Sequence, residues 1–228
     1  TSSVNKGESL IDTGVTLDQM GINVMIIRHS MTGAAHILAK NVSASVVNAG
    51  DGSNEHPTQA LLDLFTILEY KKKFEGLNVT ILGDIAHSRV ARSNAFGLKK
   101  LGANVTLAGP STLVSNSMKS LGVNVVTDIP KAVSNADVVM GLRIQFERQK
   151  AMPFPSLREY SSLFGVNSEI LKYAKDDVLV MHPGPVNRGI EISSQLLDDK
   201  RCLLDDQITN GVAVRMAILK LLTERGNM

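Results

Sequence analysis

Val79-Thr80-Ile81-Leu82, a helical pattern from Ser93 to Leu101, and then Val105-Thr106-Leu107 form the stretch on which the fold of this 228-residue chain turns. An apolar β-branched run, a helix and a second apolar run make one βαβ unit, and units of this kind in series build a parallel sheet. The rhythm continues with a helix over Thr112 to Leu121, a strand over Val123 to Val126, and Pro130 at a helix start. Asp137-Val138-Val139-Met140 follows as a strand and Val178-Leu179-Val180-Met181 as a last buried strand. Right-handed crossovers between such strands give a doubly wound sheet. Upstream the same rhythm appears once more: helix Ser9 to Met20, strand Val24-Met25-Ile26-Ile27, helix Met31 to Lys40, strand Ser45-Val46-Val47. The chain therefore reads as α/β, with two doubly wound parallel-sheet domains of which the first is incomplete.

Three units follow from this reading. Residues 1–70 hold the first sheet and a connecting helix, 76–205 the second sheet, and 206–228 a final helix expected to pack back towards the first unit. In the connecting helix, Leu61, Leu62, Leu64, Phe65 and Leu68 fall on one broad face at a period of 3.6 residues. Lys71-Lys72-Lys73 closes it, suits its negative end and reads as a solvated terminus. The final helix carries Val212, Val214, Met216, Ile218, Leu219 and Leu222. Met152-Pro153-Phe154-Pro155 reads as part of a long surface loop.

Composition narrows the function classes. Hydrophobic residues make up 43% and aromatic residues 4%, with no Trp, so the interior must be built from Val, Ile, Leu, Ala and Met. The net charge of +2, from 24 basic and 22 acidic residues, leaves no bulk field for nucleic acid or an anionic membrane. A single cysteine, Cys202, excludes an intrachain disulfide or a thiolate-rich metal site and fits a reducing compartment. The 228 residues show no 18-residue apolar run and no secretory leader, which points to a soluble, cytoplasmic protein. Thr1, Ser2, Ser3 and Lys6-Gly7-Glu8 read like the middle of a loop, as if sequence preceded them.

Ligands of open α/β sheets lie beyond the carboxyl ends of the strands. The residues there are consistently cationic or imidazole: Arg28 and His29, then His56, then His87 and Arg89, then Arg143 and Gln145, and finally His182. Guanidinium groups match carboxylate and phosphate bidentately, so several of them imply small polyanionic substrates. His56-Pro57-Thr58-Gln59 sets an imidazole and an amide at a helix entrance, where both suit the carbonyl oxygen and amide nitrogen of a small planar group undergoing acyl-type transfer. His182-Pro183-Gly184-Pro185 is a second constrained turn, either a rigid strand exit or a place where backbone meets ligand. Gly83-Asp84-Ile85-Ala86-His87-Ser88 lacks the glycines of a dinucleotide fingerprint, and no P-loop, H-E-x-x-H or G-x-S-x-G motif occurs. His29, His36 and His87 read as structural or surface groups.

Taken together, Lys6-Gly7-Glu8-Ser9, Ile27-Arg28-His29, Asn48-Ala49-Gly50-Asp51-Gly52, His56-Pro57-Thr58-Gln59, Gly83-Asp84-Ile85 with Ser88-Arg89-Val90, Leu142-Arg143-Ile144-Gln145 with Glu147-Arg148, and His182-Pro183-Gly184-Pro185-Val186-Asn187-Arg188-Gly189 resemble aspartate carbamoyltransferase catalytic chains. The resemblance runs the whole length. His-Pro-x-Gln is shared with ornithine carbamoyltransferases, but Ala60-Leu61-Leu62-Asp63-Leu64, Arg143 with Gln145, and the Pro-Gly-Pro-Val-Asn-Arg turn look like the aspartate enzyme.

The resemblance implies two Rossmann-like domains, 1–70 being the later part of a carbamoyl phosphate domain and 76–205 an aspartate domain. It implies transfer of a carbamoyl group from carbamoyl phosphate to L-aspartate, in pyrimidine synthesis, without metal or redox cofactor. Arg28 and His56 would polarise the carbamoyl carbonyl, while Gln59 and the Pro183 carbonyl hold its NH2. Arg89, Arg143 and Gln145 would bind the aspartate carboxylates, and Gly184 and Pro185 guide the amine. Lys6 with Ser2 would reach both substrates in a neighbouring copy's site, which implies a homotrimer, with regulatory or other pyrimidine-pathway chains as further partners. Ser30 stands where many relatives have Pro, and the family's Ser-Thr-Arg-Thr-Arg phosphate loop is expected in an upstream quarter outside these residues, leaving the carbamoyl phosphate site half built. Transfer to another amino acid such as ornithine, and a truncated non-catalytic binding or assembly subunit, are the competing readings. Domain closure is expected to hinge near the helix after His56.

Overall fold

The structure is a computed structural model that describes residues 9–144 and 156–225. Helix α1 (Leu10–Gln19) starts where the Ser9 side chain accepts a hydrogen bond from the Asp12 amide. It leads into strand β1 (Val24–His29), helix α2 (Ala34–Ala39) and strand β2 (Ser45–Asp51), the two strands pairing in parallel. Helix α3 (Pro57–Lys71) then crosses to the second sheet, with Pro57 at its first position, where a missing N–H costs nothing.

The second sheet contains β3 (Asn78–Leu82), β4 (Asn104–Ala108), β5 (Asn124–Val126), β6 (Val138–Gly141) and β7 (Leu179–Met181), all parallel, in the order β5-β4-β3-β6-β7. Helix α4 (Arg89–Lys100) joins β3 to β4, and α5 (Ile129–Val133) joins β5 to β6. Short helices α6 (Leu157–Phe164), α7 (Ser168–Leu171) and α8 (Ser194–Leu197) flank β7, and α9 (Leu204–Arg225) ends the described chain. Strands β3, β6 and β7 are almost wholly buried because helices cover both faces. Val79, Ile81, Val105, Leu107, Val138 and Met140 pack under α3 and α4. Leu82, Ala108, Val139 and Val180 pack under α5, α7 and α8.

The strand order reverses beside β3, where the chain steps out to β5 and returns on the other side as β6. Leu82 pairs with Gly141 and Met140 with Met181, so the loops at 83–88, 142–144 and 182–188 begin at one level above the crevice. In the first sheet the pairing register shifts between Ile27 and His29. This bulge lies at Arg28, at the carboxyl end of β1.

Several expectations need correction. Helix α4 begins at Arg89, not Ser93, because the Ser88 hydroxyl accepts from the Ala91 amide and caps it there. Thr112 to Leu121 is mostly turn, with only a 3-10 segment at Asn116–Leu121. There Ser115 bonds to Ser117 side chain and backbone, offering the chain a local alternative to an α-helix. Helix α2 does not begin at Met31, since Gly33 takes φ +82° and gives its amide to Asp51. Lys71 is no solvated terminus: its ammonium lies 2.7 Å from the Asp177 carboxylate, and only 9% of its side chain is exposed.

The largest correction concerns α3. Leu61, Phe65 and Leu68 of its expected apolar face are exposed, while Gln59, Asp63 and Thr66 are buried beside Leu62, Leu64 and Ile67. In α9, Val212, Met216 and Leu219 are likewise exposed, and Gln207 and Asn210 are buried. The reason is pairing: Gln207 donates to Asp63, and Asn210 donates to Thr66 and Glu69, so α3 and α9 meet through a polar seam. Met152-Pro153-Phe154-Pro155 lies outside the described residues. Among the described residues, no helix is long and apolar enough to cross a membrane.

Candidate active site

Arg28, His56, Gln59, Arg89, Arg143, Pro183, Gly184 and Pro185 line one cavity of about 310 Å³, together with Ser88, Val90, Leu142 and Arg215. Its floor is the ends of β1, β3, β6 and β7 and the first turns of α3 and α4. Eight of the residues singled out in the sequence are thus brought together. Ser2, Lys6 and Gln145, with Glu147 and Arg148, lie outside the described residues.

His56 stands at the N-cap position of α3 without a side-chain capping bond, and its amide donates to Ser93 of α4 at 2.9 Å. The Ser93 hydroxyl donates in turn to the Glu55 carboxylate. Burial, and then the charges of Arg89, Arg28 and Arg215, lower the His56 pKa to about 4, so the ring is neutral at physiological pH. A neutral imidazole can donate from one nitrogen while accepting at the other. The Thr58 hydroxyl stands 3.4 Å from Nδ1.

Gln59 is 8% exposed and gives its Nε2 to Asp63 at 3.0 Å. Because a carboxylate accepts and does not donate, this bond fixes which end of the amide faces the cavity: the carbonyl oxygen remains for a ligand. Arg89, 6% exposed, lies across the turn after β2, where Nη1 reaches the Gly52 carbonyl at 3.3 Å. Gly50 permits this approach, since a Cβ there would stand 2.7 Å from the guanidinium carbon, and its φ of +118° also favours glycine. Asp51 shapes the same turn. Burial alone would raise its pKa, but bonds from Asn48, Asn54, Gly33 and Glu55 hold it below the usual carboxylate range.

On the opposite wall, Glu191 accepts from the Ile144 amide and from the backbone and side chain of Asn187. It thereby ties the Arg143 loop to the Pro183–Pro185 loop, and burial raises its pKa. His182 is 2% exposed, with its Nδ1 accepting from the Gly184 amide at 3.0 Å. Burial, then Arg143, lowers its pKa to about 3. Gly184 takes φ +67°, which exposes backbone at the cavity rim. His29 and His87 line a neighbouring recess with Arg28 and Arg89, and His87 is held by Asp84 at 2.8 Å. His36 is exposed on α2.

Two family models cover this architecture. The carbamoyl-P binding domain of the aspartate/ornithine carbamoyltransferases matches residues 1–69, and their Asp/Orn binding domain matches 75–222. The chain belongs to the aspartate/ornithine carbamoyltransferase family. It is 62% identical over 226 residues to the aspartate carbamoyltransferase catalytic subunit of Ruminiclostridium cellulolyticum, covering 99% of this chain and 72% of that protein. Among solved structures, the aspartate transcarbamoylase of Trypanosoma cruzi in complex with N-(phosphonacetyl)-L-aspartic acid superposes with a TM-score of 0.81 at 29% identity, covering 96% of this chain and 71% of that one. The ornithine carbamoyltransferase of Pyrococcus furiosus has the same TM-score and identity, covering 93% and 70%.

In this carbamoyltransferase chain the cavity draws on both matched regions. Arg28, His56 and Gln59 come from the first; Arg89, Arg143, Pro183 to Pro185 and Arg215 come from the second. Arg215 was missed by sequence reasoning, as were the buried carboxylates Asp63 and Glu191. Arg215 and Asp63 sit inside helices, and Glu191 sits in a turn ten residues beyond the end of β7, so none lies at a strand end. A usable signal existed for Asp63, which follows Gln59 by four residues and therefore shares its helix face.

Proposed function

We propose that this chain transfers the carbamoyl group of carbamoyl phosphate to the amine of L-aspartate, yielding N-carbamoyl-L-aspartate and phosphate, as a cytoplasmic enzyme of pyrimidine synthesis. The observation that carries this reading is the single cavity in which the carbonyl-directed pair His56 and Gln59 faces the guanidinium groups of Arg28, Arg89 and Arg143. The aspartate carbamoyltransferases among its relatives support it.

In this mechanism the uncharged amine attacks the carbamoyl carbon, and negative charge grows on the carbonyl oxygen. Arg28 and the neutral His56 ring donate to that oxygen, a donor being available on Nε2 when Thr58 gives its proton to Nδ1. The Gln59 carbonyl and the Pro183 carbonyl accept from the carbamoyl NH2. Arg89 and Arg143, with Gln145, hold the two carboxylates, and Gly184 and Pro185 guide the amine. The new C–N bond forms, the C–O bond to phosphate breaks, and the departing phosphate is the nearest base for the amine proton. Holding two mutually repelling anions in attack geometry accounts for much of the acceleration.

Residues 1–70 serve in this reading as the carbamoyl phosphate side, 76–205 as the aspartate side, and 206–228 as the helix that joins them. Ser2 and Lys6 enter the site of a neighbouring copy in a homotrimer. The 228 residues contain no Ser-Thr-Arg-Thr-Arg motif. Incubation of the full-length protein with both substrates is expected to release phosphate and carbamoyl aspartate, with L-ornithine unused. Turnover of ornithine in preference to aspartate would replace the acceptor, and no turnover at all would leave a binding or assembly subunit.

A further inference from the structure

We infer that Asp63 is a positioning residue whose single buried carboxylate sets both acceptors for the carbamoyl NH2, the Gln59 side chain and the Pro183 carbonyl. The inference deepens the proposed carbamoyl transfer and rests on it. Asp63 is fully buried in α3, and its bonds radiate to three helices. Oδ1 accepts from Gln59 Nε2 at 3.0 Å and from Gln207 Nε2 at 2.7 Å, and Oδ2 accepts from Asn94 Nδ2 at 2.8 Å.

The first arm orients Gln59. With its NH2 drawn to Asp63, its oxygen is the end left for the cavity it lines. The second arm passes through α9. Gln207 donates to Asp63 while its Oε1 accepts from the His182 amide at 2.9 Å, one residue ahead of Pro183. The His182 ring then holds the Gly184 amide, so the peptide carrying the Pro183 carbonyl is anchored on both sides. The third arm fixes α4 near its start, because Asn94 also donates to the Val90 carbonyl one residue beyond Arg89.

All three partners of Asp63 present NH2 groups, and only an ionised carboxylate accepts them together. An amide at position 63 keeps the shape but sets its own NH2 against one of theirs. Burial raises the Asp63 pKa to about 6, against the pull of Asn94, Gln207 and Gln59 and the charge of Arg215, so the group is ionised at pH 7.5.

The test is steady-state kinetics of the full-length protein at pH 7.5 with Asp63→Asn and Gln207→Met. Asp63→Asn is expected to lower kcat at least thirtyfold, and Gln207→Met, which cuts only the arm to His182, about tenfold. KM for L-aspartate should move less than threefold in Gln207→Met, because that arm addresses the carbamoyl group and not the carboxylates. Circular dichroism separates a folded, slow variant from an unfolded one, and if Asp63→Asn does not fold, Gln207→Met decides. A folded variant with kcat within twofold of the parent overturns the inference, as does a KM for aspartate that rises in Gln207→Met in step with the loss of kcat. A parent protein without activity removes the carbamoyl-transfer reading itself, and the inference with it.

Discussion

Acidification from pH 7 to pH 5 is expected to cost the folded protein a net of about 2–3 kcal/mol, as two histidines that the fold keeps neutral outweigh a buried carboxylate. Burial and then Arg89, Arg28 and Arg215 bring His56 down to about 4, and burial and then Arg143 bring His182 to about 3. In the unfolded chain both rings titrate near the ordinary imidazole value of 6.5. Below that pH the unfolded state binds protons that the folded state refuses, so stability present at pH 7 declines by about 1.4 kcal/mol per pH unit and per ring. At pH 5 each ring has removed roughly 2 kcal/mol, whatever its folded pKa, provided that lies below 5. Asp63 works in the opposite sense. With a folded pKa of about 6 against 3.8 unfolded, it takes up a proton in the fold first and returns about 1.3 kcal/mol between pH 7 and 5. Glu191, also raised by burial, acts in the same direction as Asp63. Urea unfolding followed by circular dichroism at pH 7, 6 and 5 measures the slope, and His56→Gln or His182→Gln should each remove roughly 2 kcal/mol of the loss, which is most of the net slope. A stability constant within 0.5 kcal/mol over this range, or a slope indifferent to both substitutions, would refute the reasoning.

Arg143→Ala should raise KM for L-aspartate by roughly 10- to 100-fold, the worth of a charge-assisted pair, while carbamoyl phosphate affinity by calorimetry moves less than threefold; equal loss of both would argue against its role. Gly50→Ala places a methyl 2.7 Å from the Arg89 guanidinium carbon at φ +118°. It is expected to cost about 1–3 kcal/mol in strain and to lower kcat/KM for aspartate about tenfold, with an unchanged KM counting against the placement of Arg89. Lys71→Met breaks a pair whose Asp177 partner is 75% exposed. Its urea midpoint should shift by no more than about 1 kcal/mol of stability.

The second sheet was legible because its central strands are buried on both faces and so advertise themselves as unbroken runs such as Val79 to Leu82. The rule that ligands gather beyond strand ends found Arg28, Arg89 and Arg143 for the same reason: the strands were placed correctly, and the loops begin at one level. Helix boundaries were harder. The start of α4 depends on one serine hydroxyl at position 88, and the failure of a helix at Thr112 depends on local bonds between Ser115 and Ser117. Such contacts leave no periodic trace.

The error at α3 has a deeper cause. Apolar periodicity assumes that a buried face is an apolar face, and it therefore chose Leu61, Phe65 and Leu68 over Gln59, Asp63 and Thr66. Yet α3, α4 and α9 each deliver a side chain to the cavity, namely Gln59, Arg89 and Arg215. Helices joined by apolar contacts retain low-cost freedom to slide, because dispersion and hydrophobic burial are nearly indifferent to direction. Hydrogen bonds are not, and they weaken steeply with misalignment. A seam made of Asp63, Asn94, Gln207, Asn210, Thr66 and Glu69 gives up some hydrophobic stabilisation and in return holds three helices at fixed rotation about their axes. The residues that a hydrophobic reading passes over at this boundary are therefore those that hold the walls of the cavity, and substitutions along the seam should disturb kcat before they disturb the fold.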